Sequence, residues 1–310
     1  MKLYLESGGR VYDLVDAATA VTWESTYRGG ASRLEVTVLD GQFAPGNMLT
    51  FEKDGEKAFS GRVFTIREER SGQTQIVAYD QLRYLKAQDY IFRRGMPLEA
   101  LLTQGCAALG LRLGECASTG FTLPDKTYEK KAWLDALYES IRDVGFYTGV
   151  DYCLWDDFGA IRLTPIVDLR QPLILGDGSL VTDYACQHSL EESANRIKLI
   201  QAGNGTRIYE DSATIQSWGV LQHLEKLDGS TNQAQADQLG KALLLAKNRV
   251  GEALTLSCLG DMRVRGGRGI RVKLSALQMD QWMVVNRVRH TITHGSHTME
   301  VELLTQGGSK

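Results

Sequence analysis

The sequence predicts an α+β protein that is mainly β, with two related antiparallel β-barrels and a small α/β domain inserted between them. Apolar and polar residues alternate at both ends of the 310-residue chain, helical periodicity is confined to internal stretches, and the first and last parts carry strands and turns in a similar order. These observations predict a first β-barrel domain at 1–92, a small α/β domain at 93–165 and a second β-barrel domain at 166–310. A helix at about 232–250 is predicted between strands of the second barrel.

Alternation of apolar and polar residues is the evidence for the β-rich parts. A period of two with one polar face is typical of an antiparallel sheet or a barrel wall. Residue pairs that tolerate positive φ predict turns between these strands. The clearest alternating segments are 34–38, 254–258, 270–274 and 299–303, and the turn pairs are 40–41, 54–55, 71–72 and 177–178.

Helical spacing predicts three helices. Pro97 can start the first, and the second carries an apolar stripe over 134–144 with Gly145 able to end it. Asn232 can cap the third, and Gly251 can end it. Apolar stripes of this kind could be partner grooves, but packing into a core is the commoner cause, so we interpret them as core faces.

The two β-rich parts are predicted to be duplicates of each other. Arg62 lies 12 residues before Thr74, and Arg287 lies 11 residues before Thr298, so two hairpins nearly superimpose. Agreement in the order of three strands favours duplication over chance. The matching segments are 49–51 with 270–272, 61–63 with 286–288, the turns 71–72 with 295–296, and 74–77 with 298–301.

Composition argues against several classes of function. The chain has 35 basic and 38 acidic side chains, a formal net charge of −3, whereas a protein that grips duplex DNA usually carries a strong basic excess. No apolar run approaches the ~18 residues of a membrane span, and the N-terminus turns polar too early for a secretory signal, so we expect a soluble chain made in the cytoplasm. Five scattered cysteines without a CxxC pair predict reduced thiols.

Three histidines, His290, His294 and His297, form the only histidine cluster of the sequence. On a helix the first two would share a face and could bind zinc. The segment is predicted to be strand, turn and strand, and four extended residues span ~13 Å, which is too far for one metal ion. We therefore expect solvent-facing histidines in a hairpin and no metal site.

Two pairs of adjacent acids and one basic stretch are the other candidates. Acid–base catalysis needs carboxylates that face each other, whereas neighbours on a strand point to opposite faces, so Asp156 with Asp157 and Glu191 with Glu192 are interpreted as structural or solvated. The basic stretch, residues 263–271, is interpreted as a turn flanked by solvent-facing arginines rather than as a phosphate-binding segment. No P-loop or G-x-S-x-G motif is present. The sequence thus predicts no catalytic, cofactor-binding or metal site, and no cofactor.

Several segments together resemble the baseplate hub proteins of contractile phage tails, most closely the prophage tail hubs related to late control protein D. The segment 78–85 closes the first barrel as it does in that family. The other matching segments run in the family's order over nearly the whole chain, and they are 195–198, Asp211, Ile215, 217–219, 259–261, 269–272 and 297–303.

The resemblance implies a fold and a structural role. Hubs of this family carry two tube-type β-barrels per chain and trimerise into a pseudo-sixfold ring, which joins the sixfold tail tube to the threefold central spike. The implied partners are further copies of the chain, the central spike protein, the tail tube protein and other baseplate or adaptor proteins, with DNA or a tape-measure protein passing through the lumen. Edge strands would pair between neighbours. The implied location is the baseplate of a virion or tail-like particle, assembled in the bacterial cytoplasm.

Alternatives stay open at this point. A tail-associated cell-wall hydrolase could use Glu191 or Asp157, although the resemblance implies that the chain is not an enzyme. The same hub could also serve a phage-tail-like bacteriocin or a secretion-system injection machine. The domain at 93–165 is expected to lie outside the ring, against baseplate or adaptor proteins. Because the sequence ends at Lys310, soon after the last predicted strand, we expect the spike and any cell-wall enzyme to be separate chains.

Overall fold

The computed structural model describes residues 1–39, 43–201, 205–227 and 231–305, so the predicted turn at 40–41 lies outside the described residues. The chain is mainly antiparallel β, as predicted. The strands of the described residues are β1 (Lys2–Ser7), β2 (Arg10–Asp13), β3 (Ala18–Thr26), β4 (Arg33–Leu39), β5 (Met48–Lys53), β6 (Glu56–Glu68), β7 (Gln73–Tyr79), β8 (Gln88–Arg93), β9 (Leu113–Cys116), β10 (Lys126–Ala132), β11 (Tyr152–Asp156), β12 (Ile161–Pro165), β13 (Arg170–Gly176), β14 (Val181–Ser189), β15 (Arg196–Gln201), β16 (Gly205–Glu210), β17 (Gln222–Leu227), β18 (Gly251–Leu259), β19 (Gly269–Leu274), β20 (Met279–Thr293) and β21 (Ser296–Thr305).

The first barrel contains six strands in the order β3-β4-β7-β6-β5-β1. Alternate residues point inward, as on β4, where Leu34, Val36 and Val38 are buried and the residues between them are not. The core joins side chains from both ends of this order, among them Leu3 of β1 and Trp23 of β3, so the sheet closes around one interior. Each aliphatic side chain buried there stabilises the fold by ~1.5–3 kcal/mol.

The second barrel repeats the same order of strands, as β14-β18-β21-β20-β19-β13. Its own core includes Leu256, Val272, Val288 and Val301, which come from four of these strands. One pairing differs between the barrels, because β1 runs antiparallel to β5 whereas β13 runs parallel to β19. The predicted duplication of the barrels is therefore visible in the topology.

The two barrels also share irregularities. A bulge at Thr19 interrupts the pairing of β3 with β4, and a bulge at Thr182 interrupts the pairing of β14 with β18. In both, the threonine hydroxyl donates to a carbonyl on the neighbouring strand: Thr19 Oγ1 lies 3.2 Å from Thr37 O, and Thr182 Oγ1 lies 2.9 Å from Ser257 O. β-Bulges are conserved within protein families, so a bulge at the same place in both barrels supports their duplication.

A second pair of matching bulges, at Phe64 of β6 and Asn286 of β20, fixes which residues correspond. In this register Arg62 corresponds to Val284 and not to Arg287. The predicted correspondence is thus right for the strands but wrong for the individual residues, because the spacing between two turns does not reveal where a bulge adds a residue.

A small α/β unit lies between the barrels in the sequence and has its own core. It contains two small sheets, β8 with β10 and β11 with β12 and β9. The first predicted helix begins directly after Pro97, and the second buries the stripe over 134–144. The second helix continues past Gly145 and ends before Gly149, which has φ 74° and can adopt this left-handed conformation without strain. These helices are α1 (Leu98–Ala108) and α2 (Trp133–Thr148).

A second small unit is inserted between β14 and β18. Its helix α4 (Gln233–Lys247) is the predicted helix, and Asn232 caps it in a reciprocal capping box with Gln235. The rest of this unit was not predicted from the sequence. In it β15 pairs with β16 and β17, and helix α3 (Ser212–Trp218) links the latter two. Ile197 and Leu243 belong to the core that joins this sheet to α4.

Candidate assembly surface and the junction between the barrels

The two barrels meet edge to edge. Strand β20 is 15 residues long, and after pairing with β19 it continues beyond its own barrel to pair with β3 of the first barrel. The paired residues run from Arg287 opposite Thr26 to Thr293 opposite Ala20. Both barrels therefore belong to one 13-stranded sheet, and ladder hydrogen bonds between β20 and β3 join them at the junction.

His290 lies within this junction and is fully buried. Its ring stacks on Trp23 with 5.1 Å between ring centroids, its Nε2 lies 2.9 Å from Val264 O, and its Nδ1 lies 3.1 Å from His297 Nε2. Since a carbonyl only accepts, His290 Nε2–H donates to Val264 O, and His297 Nε2–H donates to His290 Nδ1. Burial lowers the pKa of His290 to about 3, so its ring is neutral.

The prediction of solvent-facing histidines is therefore wrong for His290. His297 is half-buried, and burial lowers its pKa as well, whereas His294 in the turn is exposed as expected. Strand parity was the signal that could have placed His290 inside, because it lies in phase with the buried Val288 and Ile292. The structure brings His290 and His297 together, and no hydrogen bond among the described residues joins His294 to them.

The basic stretch packs between the barrels instead of facing solvent throughout. Arg265 is 9% exposed, its guanidinium carbon lies 5.2 Å from the centroid of the Trp23 ring, and it donates to Lys57 O at 2.6 Å. Arg268 lies over Trp155 with 4.5 Å to the ring centroid. Burial lowers the pKa of both arginines, that of Arg265 to about 10. The predicted solvent-facing turn is thus wrong for these two arginines. Arg265 packs on Trp23 of the first barrel, and Arg268 packs on Trp155 of the small α/β unit, both through cation–π contacts.

The ends of the basic stretch match the prediction better, since Arg263 and Arg271 are exposed. Between them, the Gly266 amide donates to Ser25 Oγ at 3.0 Å. A Cβ atom on Gly266 would lie 2.3 Å from the carbonyl carbon of Thr26. The glycine is therefore required by the close approach of two backbones at the junction.

Two buried carboxyls, Asp80 and Asp156, lie beside the junction. Asp80 accepts hydrogen bonds from the amides of Ser32, at 2.9 Å, and Leu82, at 3.0 Å. Asp156 Oδ1 accepts from the Gly159 amide at 2.8 Å, whereas its Oδ2 has no hydrogen-bond partner among the described residues. Burial is the largest cause that raises the pKa of both carboxyls, and that of Asp156 rises to about 8. Burial and the neighbouring carboxyl of Asp80 thus both favour the protonated form of Asp156.

The remaining acidic candidates have ordinary surroundings. Asp157 forms an ion pair with Arg162 at 3.0 Å, and Glu191 and Glu192 are exposed after the end of β14. Asp156, which was predicted to be structural or solvated, is half-buried in a turn, where its Oδ1 accepts from the Gly159 amide. Among the described residues, no group of three or more His, Cys, Asp or Glu side chains could hold a metal ion. No helix in the described ranges is long and apolar enough to span a membrane.

Two strand edges are open at positions that correspond to the junction. In the described part of the chain, β14 pairs with β18 on one side only, and β6 beyond Phe64 pairs with β7 on one side only. Phe64 and Tyr84 are partly exposed beside the second edge, with ring centroids 5.9 Å apart, and Arg83 lies over the Phe64 ring. Unpaired edges beside exposed aromatic side chains are typical of interaction surfaces.

Duplicated barrels joined edge to edge, with small units inserted around them, define a two-barrel fold that is also found in phage tail proteins. The sequence matches the YQBQ-like family over residues 21–304, and the chain belongs to that family. Its curated relatives include the XkdQ protein of the phage-like element PBSX of Bacillus subtilis strain 168, which is 24% identical over 266 residues, or 84% of this chain and 81% of the relative.

The solved structures of similar fold include a prophage tail protein and a type VI secretion component. The 43 kDa tail protein of prophage MuSo2 from Shewanella oneidensis superimposes with a TM-score of 0.74 at 13% identity over 98% of both chains. The c3393 protein of E. coli, described as a type VI secretion component similar to the T4 tail proteins gp27 and gp5, gives 0.61 at 8% identity over 99% of this chain and 78% of that one. The predicted resemblance to tail hub proteins is confirmed at the level of the fold.

Proposed function

We propose that this chain is a structural subunit of the baseplate hub of a contractile tail, in which three copies form a ring of six barrels. The observation that carries this proposal is the junction of β20 with β3, which joins two barrels of the same strand order side by side within one chain. A trimer of such chains has true threefold symmetry and six similar barrels. It would therefore fit a threefold spike on one side and a sixfold tail tube on the other.

The proposed partners follow from this geometry. They are the central spike protein, the tail tube protein and other baseplate or adaptor proteins, with the small unit at 93–165 outside the ring as a contact for the last of these. The ring would lie in the baseplate of a virion or tail-like particle after assembly in the bacterial cytoplasm, and DNA or a tape-measure protein would pass through its lumen. The prophage and phage-like names of the similar proteins support this location.

The proposed role is assembly and not catalysis. Its support is that Asp157 is held by Arg162 and that Glu191 and Glu192 lie on an open surface. If the purified protein released fragments from cell wall, and Glu191→Gln or Asp157→Asn abolished that release, the chain would be a tail-associated hydrolase instead.

Electron microscopy of the purified protein, with light scattering on the same sample, tests the ring. We expect class averages with threefold symmetry, six lobes and a central channel, and a mass of three chains. Two-lobed particles with the mass of one chain, at every concentration, would contradict a hub that trimerises by itself.

The similarity to a type VI secretion component also favours a second candidate, the equivalent hub of a secretion-system or bacteriocin machine. The ring and its two symmetries would be the same in each. Genes for a capsid and a portal next to this gene would assign the chain to a phage, and their absence next to tail genes would assign it to a tail-like machine.

A further inference from the structure

We infer that the open edge of β14 in one copy of the chain pairs with the open part of β6 in the next copy, in the register in which β3 pairs with β20 inside one chain. The inference rests on the proposed ring and adds the strands and the register that would close it. The occupant of the open edges is thus a second copy of the same chain.

The first step is the correspondence of strands. The bulges at Phe64 and Asn286 match β6 with β20, and those at Thr19 and Thr182 match β14 with β3. Inside the chain, the second barrel offers β20 and the first barrel offers β3. In a ring of six similar barrels, each barrel uses one edge of each type. Strands β20 and β3 already pair within the chain, so the contact between chains would join β6 of one copy to β14 of another.

The backbone of β14 is oriented for this contact. The Tyr184 amide donates to the side chain of the preceding residue, Asp183 Oδ1, at 2.8 Å, and so is not directed at β18. Because amides alternate along an antiparallel strand, those of Cys186 and His188 also point to the open edge. This edge therefore presents a row of donors and acceptors ready for a further strand.

The backbone of β6 is oriented in the complementary way. The Glu69 amide donates to Gln73 O across the hairpin with β7, so the amides of Ile66 and Glu68 point to the open side. Transferring the register of the internal junction places Glu68 opposite Cys186, as His290 is placed opposite Trp23. Both residues of this pair have outward amides, so each N–H meets a C=O on the other strand.

The side chains at one end of the proposed contact are complementary as well. At the internal junction the Tyr27 amide donates to Asn286 O at 2.7 Å, and the corresponding pair between copies is Leu190 with Phe64. Leu190 would then pack on the exposed aromatic pair of Phe64 and Tyr84. The acidic residues that follow Leu190 would lie beside Arg83, which contacts the Phe64 ring. Apolar and charged groups on the two edges thus match each other.

A native cysteine allows a sharp test of the register. We expect Glu68→Cys to form a disulfide with Cys186 of the neighbouring copy on mild oxidation, because directly opposed residues have Cα atoms ~5.5 Å apart, within the range of disulfides. In a closed ring this produces covalent trimers on a non-reducing gel. Glu69→Cys is the matched control, since Glu69 is also exposed but directly follows Glu68, so its side chain points to the opposite face. In Glu68→Cys with Cys186→Ser, the partner thiol is removed.

Light scattering on the same samples separates failure of the register from failure of the ring. Covalent trimers in Glu68→Cys alone support the inference. Trimers by mass that give no cross-link, or that cross-link equally in both controls, overturn the inference and leave the proposed hub intact. A chain that stays monomeric and gives no cross-link at any concentration contradicts both.

Discussion

Strands β3 and β14 hold corresponding positions in the two barrels and differ in what lies against their outer edge. Strand β3 is covered by β20, and its inward residues Val21 and Trp23 are each 1% exposed. Strand β14 has no strand on that edge among the described residues, and Tyr184 and Cys186 at the corresponding places are only partly buried. The outer edge of β3 is thus packed within the chain, whereas the outer edge of β14 is left open, and this open edge is where we propose that a neighbouring copy binds.

The two strands that reach outward differ in length. Strand β20 continues to Thr293, whereas β6 ends at Glu68 and turns back at Gly72. The contact between copies would therefore have fewer ladder bonds than the contact within a chain. Each chain would fold as a rigid pair of barrels first, and rings would form from these pairs in a second, weaker step.

The largest expected effect comes from placing proline at the same position of both strands. Ser25 and His188 correspond, and each points its amide at the outer edge. Ser25→Pro removes a ladder donor to β20 and the hydroxyl that accepts from Gly266, so we expect a loss of at least ~3 kcal/mol in the free energy of unfolding. His188→Pro removes an amide that faces solvent in the single chain, and we expect a loss of about 1 kcal/mol or less.

Urea unfolding followed by circular dichroism measures this difference, and light scattering reports assembly. His188→Pro should leave the folded chain intact and abolish the trimer. Equal destabilisation by the two substitutions would mean that β14 is not a free edge. If His188→Pro trimerised as fully as the parent chain, the copies would be joined through a surface other than β14.

The next effect is the acid sensitivity of the covered junction. His290 has a pKa of about 3 in the folded chain against 6.5 as its ordinary value, so between these values the unfolded chain binds the additional proton. The free energy of unfolding should then fall by ~1.4 kcal/mol per pH unit below pH 6.5, or by ~2 kcal/mol at pH 5. No histidine is buried at the corresponding positions of the open edges, so this fall in the free energy of unfolding should come from the junction.

Comparison of unfolding at pH 7.5 and pH 5 in three proteins measures this contribution. His290→Gln keeps an amide donor for Val264 O and cannot titrate, so it should be less stable than the parent at pH 7.5 but lose less on acidification. His294→Gln changes an exposed turn residue and should follow the parent. An identical loss in the parent and in His290→Gln would contradict a buried neutral His290.

The open edges and the covered junction also differ in how far the sequence could predict them, because the junction depends on residues that are distant in the chain. Local patterns were sufficient for the alternating strands, for the stripe over 134–144 and for the cap at Asn232, since each depends on residues near one another in the chain. The stacking of His290 on Trp23 and the approach of Gly266 to Thr26 depend on residues from opposite ends of the sequence. No local pattern reports such contacts, so the basic stretch was assigned to solvent. For His290, strand parity could have indicated burial, but it could not have named Trp23 as the partner.

The smallest expected effect concerns the buried carboxyl beside the junction. The pKa of Asp156 is raised to about 8 from 3.8, so the unfolded chain releases its proton first and this residue costs stability as pH rises through that range. Asp156→Asn cannot ionise in either state. We expect it to match the parent near pH 4 and to exceed it by on the order of 1 kcal/mol at pH 8.

The neighbouring Asp157→Asn is the matched control for Asp156→Asn. It removes a partly exposed ion pair with Arg162, so it should cost less than ~1 kcal/mol at pH 8 and never stabilise. If Asp156→Asn were instead destabilising at pH 8, Asp156 would be an ionised acceptor in the folded chain. The arginines of the basic stretch would then balance its charge, and the junction would depend on an ion pair rather than on neutral packing.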